Sequence, residues 1–133
     1  MAFDGSGNLF AVNNFDVTVY APGGTRPIRT ITAGITLPSS LAIGHRGDVY
    51  VANWGVNIFR STIAGYLAGS KIPRRTVTRG LGYPLSLTFD DAGDLYAANL
   101  ALNTVTEYAE GTLRLKRTFA KAMSAPSELA FGP

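Results

Sequence analysis

Cysteine is absent from all 133 residues, which excludes a disulfide scaffold, a thiolate metal site and a cysteine nucleophile. Histidine occurs once, as His45, with no orienting partner or nucleophile evident beside it, so a general-base site is not indicated. Charge is sparse as well: 16% of residues are Asp, Glu, Lys or Arg, and the net charge is a modest +3. No apolar run approaches the length of a membrane span, and no basic-then-apolar stretch opens the sequence, so neither a spanning segment nor a signal peptide is marked. Helical periodicity is missing throughout, which also removes a Gly-rich phosphate loop leading into a helix.

Repetition is what the chain does have. Its 46% apolar content is enough for one domain with a real core. Pro38-Ser39-Ser40 leads into Leu41-Ala42-Ile43, Pro84-Leu85-Ser86 into Leu87-Thr88-Phe89, and Pro126-Ser127-Glu128 into Leu129-Ala130-Phe131. Met1-Ala2-Phe3 fits the same slot. A period of roughly forty to forty-six residues built from short strand-like runs is the signature of four-stranded propeller blades.

Each unit opens with an apolar run and then a polar turn: Asp4-Gly5-Ser6-Gly7-Asn8, Gly44-His45-Arg46-Gly47-Asp48 and Asp90-Asp91-Ala92-Gly93-Asp94. Glycine at the fourth place of all three predicts a backbone with positive φ. A second apolar run follows and ends in Asn13, Asn53 or Asn99. Such runs suit strands buried on both faces. Alternation in Val17-Thr18-Val19-Tyr20 and Val105-Thr106-Glu107-Tyr108 predicts half-exposed third strands, with a less regular one near Ile58-Phe59-Arg60 and an insertion at about 64–70. Fourth strands read Ile28-Arg29-Thr30-Ile31-Thr32, Arg74-Arg75-Thr76-Val77-Thr78 and Lys116-Arg117-Thr118-Phe119. Burial is expected to fall from the first strand, at an axis, to the fourth, at a rim. The chain is thus expected to be all-β and a single domain over 1–133, with units at about 1–40, 41–86 and 87–128 and a further unit starting at 129–133.

These residues resemble the NHL-repeat family of β-propellers. The likeness rests on the Ala2-Phe3-Asp4 opening, the turn exits Gly7-Asn8-Leu9-Phe10 and Gly93-Asp94-Leu95-Tyr96, the strand ends Ala52-Asn53 and Ala98-Asn99, and the third strand Thr18-Val19-Tyr20. It covers essentially the whole chain. The resemblance implies a propeller used as a protein-interaction platform, an RNA binder or, in divergent members, a lactonase or lyase. Propellers close with four to eight blades, so three units predict either a piece of a longer array, which the restart at 129–133 favours, or a homodimer closing a six-bladed ring.

The leading function is a non-catalytic scaffold for a protein, peptide or glycan, met at the loops that follow the second strands. Asn13, Asn14, Phe15, Asn53, Trp54, Asn57, Asn99 and Asn103 are the candidate binding residues. For the three recurrent asparagines the alternative is a structural cap, and for Trp54 it is filling the gap between blades. A metal-dependent, gluconolactonase-type hydrolase is the second reading. Its family pattern places a carboxylate before the first strand, where Leu37, Tyr83 and Ala125 stand and only Glu128 lies near, so no catalytic or metal residue and no cofactor is expected. The Asp-rich turns lack calcium-loop spacing, and hairpin chemistry accounts for them. A third reading, RNA or anionic-polymer binding through Arg29, Arg75, Arg117 and neighbours such as Arg74, Arg79, Arg114, Lys116 and Lys121, competes with the plain use of basic residues to guard rim strands. Nucleic acid is therefore not the expected partner, and no membrane partner is expected.

Overall fold

The computed structural model describes residues 1–120 and 124–129. Among them the chain is built of three four-stranded antiparallel sheets, each a meander of consecutive strands. The first unit holds β1 (Ala2–Phe3), β2 (Leu9–Val12), β3 (Val17–Tyr20) and β4 (Pro27–Ile31). The second holds β5 (Pro38–Ile43), β6 (Val49–Asn53), β7 (Thr62–Tyr66) and β8 (Arg75–Val77). The third holds β9 (Pro84–Phe89), β10 (Leu95–Asn99), β11 (Thr104–Tyr108) and β12 (Leu115–Phe119). The expected all-β architecture and three-unit organisation are therefore present. Of the restart expected at 129–133, all but Leu129 lies outside the described residues, as does Lys121.

The recurrent turns close as their chemistry requires. Gly7, Gly47 and Gly93 take φ of 82°, 82° and 90°, a region glycine enters without a Cβ penalty. In the first turn the Asp4 carboxylate accepts from the amides of Ser6 and Asn8, and in the third Asp90 accepts from those of Ala92 and Asp94. The second turn has Gly44 at that place and keeps the backbone part of the pattern, Gly44 N to Asp48 O at 2.9 Å and Gly47 N to Gly44 O at 3.0 Å. The carboxylate thus reinforces a turn that the backbone can close alone.

Two apolar cores lie between units. Phe10, Val17, Val19 and Ile31 meet Leu41, Val49, Val51 and Tyr66 in one. Ala52, Ile63 and Val77 meet Leu87, Leu95, Ala97 and Tyr108 in the other. Successive strand residues face opposite neighbours, so the apolar runs of β6 and β10 are buried from both sides.

Four expectations are corrected. The second unit's third strand is Thr62–Tyr66, while Ile58–Arg60 forms a 3-10 turn that Asn57 caps by accepting from the Phe59 amide. Tyr66 fills the place of Tyr20 and Tyr108, so the extra length of this unit lies in the loop of residues 54–61 and not at 64–70. Burial is greatest in the second and third strands of the latter two units, whose residues pack between blades; only the exposed rim follows expectation. The strand β11 is buried and not half-exposed, because Glu107 is neutralised in place by Lys116 and Arg117.

Candidate binding face

Loops 54–61 and 100–103 emerge beside the connections that lead from one rim strand to the next unit, and loop 13–16 holds the same place in the first unit. Those connections are held by a repeated joint. Leu37, Tyr83 and Ala125, each preceding a proline, have φ of 51°, 51° and 45°. A non-glycine residue in the left-handed region costs about 1–2 kcal/mol, so neighbouring contacts must hold it. They do: the Trp54 amide donates to the Leu37 carbonyl at 3.0 Å, the Leu100 amide to Tyr83 at 3.1 Å, and the Ala125 amide donates to Asn103 Oδ1 at 2.7 Å.

Asn53 and Asn99 belong to this joint. Asn53 Oδ1 accepts from the Thr36 amide at 3.0 Å, while Nδ2 donates to the Gly34 carbonyl and to Thr62 Oγ1, each at 3.1 Å. Asn99 accepts from the Gly82 amide at 3.3 Å and donates to Thr106 Oγ1 at 3.0 Å and to the Ala97 carbonyl at 3.3 Å. Both side chains are fully buried, out of a ligand's reach. Asn13 occupies the same repeat position but is exposed, donating to Asp16 Oδ1 and Thr18 Oγ1.

Trp54 is half-buried between the second and third units. Its indole N–H donates to the Pro84 carbonyl at 3.0 Å, and its ring stacks on Tyr83 with centroids 4.9 Å apart. It fills the gap between blades. Asn14, Asn57 and Asn103 are exposed, the second capping the 3-10 turn and the third anchoring Ala125.

The side chains that reach outward from these loops are apolar. Phe15 is 75% exposed, Val56 76%, Phe59 92% and Leu102 43%. Of these, sequence reasoning singled out Phe15. Phe59 escapes sequence reasoning because Ile58-Phe59-Arg60 reads as a strand, although the flanking Gly55 and Asn57 are turn residues. Beside Val56 a cleft of about 350 Å³ opens, lined by Thr36, Gly55, Val56, Arg60 and Thr62. Asp16 is the only carboxylate in the three loops.

Carboxylates gather on the other side of the third unit. Oxygens of Asp90, Asp94 and Glu107 lie within 4.8 Å of one another, a spacing that could hold a metal ion. Cationic side chains already fill that space. Lys116 Nζ stands 2.5 Å from Asp94 and 3.2 Å from Glu107, and Arg117 Nε 2.5 Å from Glu107. The Arg117 hydrogen bond holds the Glu107 carboxyl below its ordinary range, and Lys116 does the same for Asp94. His45 is a solvated turn residue, and Glu128 is exposed.

No protein-family model matches the sequence, and no curated protein matches it. Solved structures do match. Hydrazine synthase of Kuenenia stuttgartiensis superposes with a TM-score of 0.81 at 16% identity, over 95% of this chain and 36% of that one. A streptogramin B lyase superposes with a TM-score of 0.62 at 14% identity, over 95% of this chain and 41% of the other. The chain thus spans well under half the length of either. At such identities the likeness shows the fold alone, and with the three four-stranded sheets that fold is a β-propeller.

Proposed function

We propose that this chain is a non-catalytic β-propeller scaffold that binds a protein or peptide across the loops at 13–16, 54–61 and 100–103. The observation that carries this reading is the exposure of Phe15, Val56, Phe59 and Leu102 on loops of one face. Large apolar side chains held outward on a braced framework are the anchors that peptide recognition uses, and the polar groups behind them are spent on holding the joints. The enzymatic alternative takes a carboxylate before the first strand, where the chain has Leu37, Tyr83 and Ala125.

Selection of a displayed random-peptide library on the immobilised chain tests the reading. Enriched peptides should lose binding to a Phe15→Ser/Phe59→Ser double variant that unfolds at the same urea concentration as the parent. A selection that enriches nothing, or peptides indifferent to the two substitutions, would overturn it.

The same proposal includes a homodimer as the assembly that presents this face, since two three-blade arcs make a closed six-bladed ring. Half-exposed Leu9, Ala11 and Tyr20 support it, because their counterparts in the other units are buried against a neighbouring blade.

A further inference from the structure

The three units place an aromatic residue, a third-strand residue and an arginine side by side in register. The triads are Phe10–Val19–Arg29, Tyr50–Gly65–Arg75 and Tyr96–Glu107–Arg117. Next to the arginine on the rim strand stand Ile28, Arg74 and Lys116. In the third unit this arrangement is complete. The Glu107 carboxylate takes Arg117 and Lys116, and the Tyr96 hydroxyl, which donates to Asp90 Oδ2 at 3.3 Å, lies against the same acidic group. In the first unit Val19 replaces the acid, Ile28 replaces one cation, and Arg29 stacks over the Phe10 ring at 5.5 Å.

The second unit keeps both cations and the tyrosine but has Gly65 where Glu107 would be. A cleft of about 200 Å³ opens there, lined among others by Arg46, Asp48, Tyr50, Gly65, Arg74 and Arg75. Three arginines face one carboxylate, and Asp48 already accepts the Ala68 amide at 3.2 Å. The turn has changed in the same sense: Gly44 stands in place of Asp90, and Arg46 in place of Ala92. Arg75 spends one N–H on the Thr112 carbonyl, which leaves four of the guanidinium's five donors for other partners. Two cations and a phenol beside an acid-free position form a receptor for the group that the third unit builds in.

We propose that this cleft binds a carboxylate ligand, whose carboxylate makes to Arg74, Arg75 and Tyr50 the contacts that Glu107 makes to Lys116, Arg117 and Tyr96. The ligand is a small organic acid or an acidic side chain of a bound peptide. Charge-assisted hydrogen bonds to guanidinium are the strong, geometrically specific kind, and Arg75 presents them beside an apolar wall formed by the Tyr50 ring.

Propionate, which has the length of a glutamate side chain, is the probe, and propionamide is its neutral control. Titration followed by amide NMR shifts should show saturation by propionate at residues 65, 74 and 75, and none by propionamide. Arg75→Gln, an exposed substitution, should weaken propionate binding at least about tenfold. Gly65→Glu should abolish it by supplying the carboxylate internally. A Cβ at Gly65 would stand 2.9 Å from Tyr50 Cε1, so that ring must move aside; if Gly65→Glu does not fold, Arg75→Gln decides alone. A blocked Gly-Glu-Gly peptide binding more tightly than propionate assigns the acid to a protein partner, and the reverse order assigns it to a small molecule; both support a carboxylate site. Equal shifts with propionamide, no saturation, indifference to Arg75→Gln, or inorganic phosphate binding tenfold tighter than propionate would each overturn it.

Discussion

The side-chain amide of Asn53 donates to the carbonyl of Gly34, joining the end of a strand in the second unit to the connection that leaves the first. Its carbonyl oxygen accepts from Thr36 in the same connection and its amide also donates to Thr62 of the second unit, so one buried side chain satisfies groups on both sides of a joint. Removing it strands those backbone groups away from water. Asn53→Ala should therefore destabilise the chain by about 2–3 kcal/mol, read as a fall in the urea midpoint with unchanged slope. Asn99→Ala should behave alike at the next joint, while Asn13→Ala, at an exposed position, should lie within about 0.5 kcal/mol of the parent. Equal losses at all three sites would refute the joint assignment.

A second brace crosses the same joints. The Tyr66 hydroxyl donates to the Ala33 carbonyl at 2.5 Å and the Tyr108 hydroxyl to Arg79 at 2.6 Å. Burial pushes both phenols up to about 12, from an ordinary value of 10.0. In the pH window between those values the unfolded chain releases protons that the native chain retains, so stability must fall as pH rises from 10 to about 12. Tyr66→Phe/Tyr108→Phe should flatten this alkaline limb, measured as urea midpoint against pH. An unchanged limb would mean that other groups govern it.

Acid should act through a different place. Arg117 and Lys116 hold Glu107 and Asp94 below their ordinary values of 4.5 and 3.8. The stability they contribute is complete above the ordinary carboxylate range and is lost as pH falls through the lowered native values. Glu107→Gln should remove much of that acid slope and lower stability at neutral pH, where it leaves two cations without their shared anion. Salt should narrow the gap between parent and variant, since Lys116 and Arg117 are partly exposed and screening reaches them. A parent and variant with the same acid slope would exclude the cluster as its source.

Much of this was legible from spacing. Gly7, Gly47 and Gly93 mark the turns because only a rare backbone conformation closes them, and Asn53 and Asn99 mark strand ends because each has a local partner to cap. What spacing could not supply was which polar groups would find partners across the sheet. Glu107 reads as a solvent-facing residue until Lys116 and Arg117, close in space but a strand away, neutralise it. Ile58-Phe59-Arg60 reads as a strand because two apolar neighbours imitate a short one, whereas Tyr66, like Tyr108 in the third unit, ends the third strand with a hydroxyl bond to the preceding connection. Trp54 as a residue type fits both packing and contact, and the packing shows only in the position of Tyr83 and Pro84 from the next unit.

The two outer faces of the arc lead to a prediction of self-association. Val49, Val51, Ala64 and Tyr66 of the second unit are almost wholly buried against the first, as are Leu95, Ala97, Thr106 and Tyr108 of the third against the second. Their counterparts in the first unit, Leu9, Ala11, Thr18 and Tyr20, are half-exposed. At the far end Tyr96, Ala98 and Val105 form a small apolar cluster, against which Leu129 packs, and Phe119 is 36% exposed. One face thus offers the phenol and apolar strand surface that each internal joint uses, and the other offers the opposite side of a blade. A head-to-tail contact repeated twice about a two-fold axis closes six blades and covers both faces. Light scattering after size exclusion should give the mass of a dimer, and Leu9→Glu/Tyr20→Glu should convert it to monomer without unfolding the second and third units. A parent chain that stays monomeric as its concentration is raised would exclude this closure.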